Sequence, residues 1–152
     1  MKKLTFLVLL AISTFSYGQN AAKRIASFNL ESKVAIQGYD PIAYFKQNKA
    51  VKGKTEIATT YDGITYHFSS AANKDLFLKN PTAYEPQYGG WCAYAMGSNG
   101  DKVEINPETF KIIDGKLYLF YNAFFNNTLK SWNKEEKNLK PKAENNWKKY
   151  YK

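Results

Sequence analysis

Residues 56–68 have the pattern of a β-hairpin with one buried face. In residues 64–68 the apolar Ile, Tyr and Phe alternate with Thr and His, which is the period-two pattern of a half-buried strand. Asp62-Gly63 precedes this stretch, and an Asp-Gly pair between two such runs is a strong hairpin signal. The alternation also predicts that Tyr66 and His67 face opposite sides of the strand.

A second Asp-Gly pair, Asp114-Gly115, joins residues 110–113 to residues 116–120 in the same way. We therefore predict two antiparallel hairpins that together build one small sheet. Apart from these two turns the sequence shows no internal repeat.

Helical segments are predicted between and after the hairpins. Asp40 is placed to cap a short helix that begins at Pro41, and Ser69-Ser70 offers a cap to a helix over 71–79. A third short helix is expected over 91–96, with Gly97 as its end.

Two amphipathic helices are predicted at the end of the chain. Apolar residues at helical spacing define the first helix (Phe125, Leu129, Trp132) and the second (Ala143, Trp147, Tyr150). Lys140-Pro141 is the predicted break between them. Hairpins and helices in this order indicate an α+β fold, a small antiparallel sheet packed with short helices.

The first 18 residues have the pattern of a cleavable signal peptide. Lys2 and Lys3 are followed by an apolar run from Leu4 to Ile12 and then by small polar residues, which place the cut near Gly18. The apolar run is about half of the roughly 20 residues that span a bilayer. We expect a periplasmic or secreted protein with no membrane anchor after cleavage, a polar lead over 19–33 and a single domain over 34–152.

The chain is strongly basic, with a formal net charge of +9, or about +7 once Lys2 and Lys3 are removed. Residues 130–152 carry much of this charge, as eight lysines against three glutamates. Lysines spaced among asparagines are typical of a solvated helix face, and an exported protein seldom meets nucleic acid, so no nucleic-acid partner is expected.

Cys92 is the only cysteine, so the chain cannot form an internal disulfide. A helix beginning at residue 90 or 91 would put the thiol in its first turn, where free backbone N–H groups favour a thiolate. The alternative is an inert thiol packed among Trp91, Tyr94 and Tyr88.

His67 and Met96 could assist Cys92. His67 is the only histidine, and Met96 follows Cys92 by four residues, on the same face of a regular helix. Thiolate, thioether and imidazole together suit copper(I) or another soft metal. The alternatives are a solvated histidine on a strand and a methionine packed in the core.

Tyr39 and Asp40 form a further candidate pair, although Asp40 is most simply a helix cap. No Ser-His-Asp arrangement, phosphate loop or pair of catalytic carboxylates stands out, so hydrolase and nucleotide chemistry have no specific support.

Four ordered motifs resemble the exported YHS domain-containing proteins. These are residues 38–45 (GYDPIAYF), 61–73 (YDGITYHFSSAAN), 86–93 (PQYGGWCA) and 114–119 (DGKLYL). The tyrosine, histidine and serine of the family name match Tyr66, His67 and Ser69 or Ser70.

This resemblance implies a metal-binding role, because related YHS modules accompany heavy-metal transport ATPases and some metal-dependent oxygenases. Those modules often have more cysteines than the single Cys92 found here. In some exported relatives a selenocysteine stands at the position matching Cys92, which favours a reactive thiol.

Three functions follow from these observations. The first is soft-metal binding, copper above all, by Cys92 with His67 or Met96, in exchange with a metal donor or acceptor. The second is a thiol redox enzyme that uses Cys92 with an external reductant. The third is a non-catalytic module that binds a small molecule or partner, without a cofactor, in a groove made by its aromatic residues. Tyr39, Tyr66 and Tyr88 are further candidate site residues.

Overall fold

The computed structural model describes residues 20–151. The predicted signal peptide and its cut near Gly18 lie outside the described residues. The first described element is a helix over 20–27, which we call α1. Arg24 of α1 and Phe28 just after it are buried, so the folded domain includes part of the segment expected to be a polar lead.

The first half of the chain forms a four-stranded sheet in the order β1-β2-β4-β3. Its strands are β1 (Leu30–Glu31), β2 (Val34–Ala35), β3 (Lys54–Tyr61) and β4 (Ile64–Phe68). β3 and β4 pair antiparallel around Asp62-Gly63, whereas β2 and β4 are parallel. Along β4 the residues alternate between buried and half-buried as predicted, with Tyr66 inward and His67 outward.

Helices flank this sheet and connect it to the second half of the chain. They are α2 (Pro41–Gln47), α3 (Ala71–Lys79), α4 (Pro81–Tyr84) and α5 (Ala93–Ser98), with 3-10 turns over Ile36–Gly38 and Gln87–Gly90. The predicted caps are present, because Asp40 accepts the amide of Ile42 and Ser70 accepts the amide of Asn73.

The second half contains two separate hairpins and a long helix: β5 (Asn106–Ile113) with β6 (Lys116–Phe120), β7 (Asn122–Ala123) with β8 (Asn126–Asn127), and α6 (Thr128–Trp147). The α+β class is confirmed. The prediction that both Asp-Gly hairpins join one antiparallel sheet is wrong, since β5 and β6 form a separate two-stranded sheet.

Three helix predictions differ from the structure. Gly97 lies within α5, where a β-carbon would be 2.7 Å from the carbonyl oxygen of Leu139, so it permits close packing of α6 on α5. Phe125 precedes α6. The two expected terminal helices form the two parts of α6, and the break between them falls at Glu135 and not at Lys140-Pro141.

Residues 36–69 and 88–121 have the same backbone plan, each residue of the second unit following its counterpart by 52 positions. β3 and β5 begin at Lys54 and Asn106, and β4 and β6 end at Phe68 and Phe120. In both hairpins the pairing register shifts between the first and the fifth residue of the longer strand.

Left-handed backbone and connecting hydrogen bonds repeat at the same interval. Positive φ angles occur in both units at equivalent positions: Ile36, Gln37, Gly38, Asn48, Asp62 and Gly63 in the first, and Tyr88, Gly89, Gly90, Gly100, Asp114 and Gly115 in the second. The amide of Asp40 donates to the carbonyl of Val51, and that of Cys92 to the carbonyl of Val103, both at 2.9 Å.

Eight of the 34 residue pairs that this alignment creates are identical, among them Tyr66 with Tyr118 and Phe68 with Phe120. The sequence-based statement that no repeat exists beyond the Asp-Gly turns is therefore wrong. The chain contains two copies of one unit, which consists of a 3-10 turn, a short helix and a bulged hairpin.

Two hydrophobic clusters form the core. The first contains the inward face of β4 together with Phe77, Cys92 and Leu119, and the second contains Met96, Phe120 and Trp132. Within residues 20–151, no helix is long and apolar enough to cross a membrane.

Candidate functional site

Asp40 is a fully buried carboxylate that connects three elements. One oxygen caps α2 by accepting the amide of Ile42 at 2.9 Å. The other accepts the amide of Ser69 at 2.8 Å, its hydroxyl at 2.6 Å and the side-chain amide of Asn73 at 2.7 Å. Four hydrogen bonds satisfy the buried charge, so Asp40 fixes the end of β4 against α2 and α3.

Cys92 is the counterpart of Asp40 in the second unit. Its sulfur accepts the amide of Tyr121 at 3.3 Å, as the carboxylate of Asp40 accepts the amide of Ser69, the counterpart of Tyr121. The sulfur also lies 3.4 Å from the hydroxyl of Thr128, which itself donates to the carbonyl of Tyr121. Cys92 therefore occupies a polar position that joins β6 to the start of α6.

The placement of Cys92 differs from the prediction. It is the N-cap residue of α5, with φ −57° and ψ 116°, and not a residue of the first helical turn. Its relative solvent exposure is 0%. The thiol is thus sealed from solvent, and its two polar neighbours belong to the fold.

His67 lies away from Cys92. Tyr66 points into the core cluster that contains Cys92, and His67 occupies the opposite face of β4. There its ring is close to Gly38 and Lys52, because a β-carbon at Gly38 would lie 3.2 Å from His67 Nδ1 and 3.8 Å from Lys52 Nζ. The ammonium group of Lys52 also lies 4.8 Å from the centre of the Tyr39 ring.

Met96 is fully buried in the second core cluster, whereas Cys92 belongs to the first. The structure therefore does not bring Cys92, His67 and Met96 into one set of ligands. Within the described part of the chain, no three side chains of the His, Cys, Asp or Glu type converge as a metal site would require.

A buried ion pair lies at the junction of α1, β4 and the segment before the second unit. Arg24 donates to both oxygens of Glu85, and the hydroxyl of Tyr66 donates to one of them. Burial, and then the carboxylate of Glu85, raise the pKa of Tyr66 well above its usual value. Burial lowers the pKa of Arg24, but the hydrogen bond and charge of Glu85 outweigh it, so the net shift is upward.

This ion pair forms part of the wall of a cleft of about 500 Å³, which we call the aromatic cleft. Four aromatic residues line it: Phe28, Tyr88, Trp147 and Tyr151. Phe28 and Trp147 pack edge to face, and Arg24 lies over the Phe28 ring at 4.6 Å. Gly89 closes one side, where a β-carbon would be 2.7 Å from Trp147.

The hydroxyl group of Tyr88 is buried in the cleft wall. Neither it nor the hydroxyl of Tyr118 has a hydrogen-bond partner among the described residues. Burial, followed by the neighbouring Tyr118 hydroxyl and the Glu144 carboxylate, raises the pKa of Tyr88. An unsatisfied buried hydroxyl costs free energy, and both of these hydroxyls lie within the second core cluster.

The architecture defines the class of this chain: an α+β domain made of two related helix and hairpin units with a buried N-cap residue in each. Residues 42–88 match the family model of the YHS domain, so the chain contains a YHS domain. The match covers most of the first unit and ends where the second begins. The search of curated proteins and that of solved structures gave no significant match.

The motif residues have clear structural partners. Tyr66 bonds Glu85, Ser69 bonds Asp40, and Ser70 caps α3. The YHS domain is associated in general terms with metal binding. In this chain, however, the side chains of the candidate ligands do not converge, and both neighbours of the Cys92 sulfur already contribute hydrogen bonds to the fold.

Arg24, Glu85 and Thr128 were not anticipated from the sequence. Arg24 and Glu85 are 61 residues apart, and Thr128 lies 36 residues after Cys92, so no local spacing connects them. The one usable signal was the position of Arg24 close to the apolar residues Ile25 and Phe28.

Proposed function

We propose that this chain is a non-catalytic binding module whose ligand site is the aromatic cleft. The observation that supports it best is the aromatic lining of the cleft beside the buried Arg24–Glu85 ion pair. Ring surfaces favour a flat apolar group, while Glu144 and Lys148 at the edge offer charges of both signs. The ligand class is a small molecule with an aromatic or similarly flat ring and a polar substituent.

Steric blocking of the cleft tests this proposal. Thr82 lines the cleft, while its exposed neighbour Ala83 in α4 does not. Ligand-observed NMR with a set of single-ring and fused-ring aromatic fragments should detect binding to the wild type and to Ala83→Trp, but not to Thr82→Trp. The proposal fails if no fragment binds the wild type, or if Thr82→Trp binds fragments as the wild type does.

A second candidate function is binding of a soft metal such as copper(I), with Cys92 as the ligand. The match to the YHS domain favours this candidate. Since the sulfur is sealed, binding would require α6 to move away from β6. Anaerobic titration with copper(I) should then give about one equivalent bound to the wild type and none to Cys92→Ser. Equal binding by both proteins would show that Cys92 is not the ligand. The thiol redox alternative also requires the buried sulfur to become exposed, because an oxidant must reach it.

We also propose that the module acts in the periplasm or outside the cell, on the strength of the signal-like pattern in residues 1–18. Mass spectrometry of the protein expressed with its full N-terminus should show a mature chain that begins near Gln19. Retention of the intact N-terminus in the cytoplasmic fraction would contradict this.

A further inference from the structure

The β7–β8 hairpin exposes two adjacent phenylalanines at its tip. Phe124 and Phe125 have relative exposures of 90% and 112%, whereas the other exposed large apolar residues reach at most 49%. Both rings therefore stand in water on nearly all sides. Such a pair exceeds the scattered single apolar residues that a normal surface carries.

The tip is also conformationally strained. Phe124 and Phe125 have φ angles of 49° and 64°, a left-handed backbone that bulky residues rarely adopt. The other two-residue turns with this geometry use small or polar residues, namely Ser32-Lys33, Asp62-Gly63 and Asp114-Gly115. Two aromatic residues at such a turn are unfavourable for folding, which points to a role outside the fold.

Comparison of the two units shows that the β7–β8 hairpin has no counterpart in the first unit. In the first unit β4 passes directly into α3 through Ser69-Ser70, and Ser70 caps the helix. In the second unit seven residues, 121–127, stand between β6 and α6 where the first unit has two, and Asn127 supplies the equivalent cap. The extra residues add the aromatic tip, and the side chain of Asn122 holds the base of the hairpin by donating to Thr109 of β5 at 3.0 Å, in the manner of a binding loop added to one repeat.

Positive charge follows directly behind the tip. Residues 128–151 contain seven lysines and three glutamates. Lys130, in the first turn of α6, and Lys134, one turn further on, are both exposed. An aromatic tip backed by a basic helix complements a surface that is negatively charged above an apolar layer.

We propose that the β7–β8 hairpin inserts Phe124 and Phe125 into the interfacial layer of a bilayer with anionic headgroups. A protein partner or a second copy is disfavoured by area, because two phenylalanines contribute roughly 300–500 Å² at most, below the ~800 Å² per partner of a stable interface. A bilayer requires no pocket, and lysines beside the tip supply the second attraction that peripheral binding needs.

Vesicle co-sedimentation tests this inference with the full mature chain. The probes are vesicles of phosphatidylcholine mixed with phosphatidylglycerol, and vesicles of phosphatidylcholine alone. The variant Phe124→Asn with Phe125→Gly places the preferred residues in the turn, so its melting temperature should equal or exceed that of the wild type. Its partition coefficient on the anionic vesicles should fall by at least about ten-fold.

Leu78→Asn is the matched control, because it removes an exposed apolar residue of α3 that lies outside the hairpin. Its partition coefficient should remain within about two-fold of the wild type. Binding should also weaken as salt is raised and on the neutral vesicles. The inference is overturned if the wild type stays in the supernatant with anionic vesicles, or if the hairpin variant sediments with them equally well. Self-association of the wild type that is lost in the hairpin variant, without vesicle binding, would assign the tip to a second copy instead.

Discussion

At the residue scale, the two units show the same structural task performed by different side chains. Asp40 and Cys92 occupy equivalent positions and accept equivalent backbone amides. The sequence predicted the cap at Asp40 because the Asp-Pro pair is a local signal. It could not predict the role of Cys92, because the two groups that contact the sulfur come from residues 121 and 128.

Burial of the Cys92 sulfur predicts slow chemistry in the native state. Alkylation of the native protein by iodoacetamide should be at least about 100-fold slower than in denaturant, since an opening free energy of about 3 kcal/mol is needed. Mass spectrometry gives both rates. The variant Thr55→Cys supplies an exposed thiol in the same molecule as an internal standard, and equal rates at both sites would contradict the burial of Cys92.

Replacing Cys92 by Ala should also lower stability, because the buried amide of Tyr121 would lose its acceptor. The expected loss in the free energy of unfolding is about 1–3 kcal/mol, measured by urea denaturation. Ser should be tolerated better than Ala, since its hydroxyl can accept the amide of Tyr121 without burying a charge. A loss for Cys92→Ser that exceeds the loss for Cys92→Ala would argue against this role.

Glu85→Gln removes the charge that balances Arg24 in the interior. Breaking a buried pair on one side leaves an uncompensated charge and costs about 3–5 kcal/mol. Chemical denaturation should show this loss. The exposed pair of Lys140 with Asp114, whose carboxylate pKa is lowered by Lys140, provides the control. Asp114→Asn should change stability far less than Glu85→Gln, and a comparable effect would refute the importance of burial here.

At the element scale, predictions from neighbouring residues were confirmed, whereas predictions of how distant segments pair were not. The β4 alternation and the caps of α2 and α3 follow from neighbouring residues and were predicted. Pairing of β2 with β4 and the separation of β5 and β6 from the larger sheet depend on contacts between distant segments. The break in α6 was placed at Pro141 because proline lacks the helical N–H, yet the backbone there stays helical and departs at Glu135.

Pro141 within α6 therefore leaves a helical hydrogen bond unmade. Pro141→Ala restores the amide donor and should raise the free energy of unfolding by up to about 3 kcal/mol. Thermal and urea denaturation measure the change, with Lys142→Ala on the exposed face of the same turn as the control. A destabilised Pro141→Ala variant would mean that the proline ring contributes packing that outweighs the missing bond.

At the scale of the whole molecule, buried tyrosines set the behaviour at high pH. Burial raises the pKa values of Tyr44, Tyr66 and Tyr88 above the usual 10.0. Above pH 10.0 these groups lose their protons in the unfolded chain but keep them in the folded one. The contribution of these tyrosines to the free energy of unfolding is fully present below pH 10.0. It declines as the pH rises from there through their raised pKa values in the folded protein.

The free energy of unfolding should fall by up to about 1.4 kcal/mol per pH unit for each of these tyrosines above pH 10. Absorbance at the phenolate band should show these groups titrating together with loss of the folded circular dichroism signal. Tyr44→Phe should make the slope of unfolding free energy against pH smaller by the contribution of one tyrosine. If all tyrosines instead ionise near pH 10 while the protein stays folded, their burial is contradicted.

The repeated units have a consequence for how this domain can change over time. Two equal subunits encoded by one gene must alter together, since every substitution appears in both. Here the copies are joined in one chain, and the 52-residue interval lets each evolve separately. One half could keep its aspartate while the other exchanged it for cysteine and acquired an extra loop, an asymmetry that a pair of identical subunits could never encode.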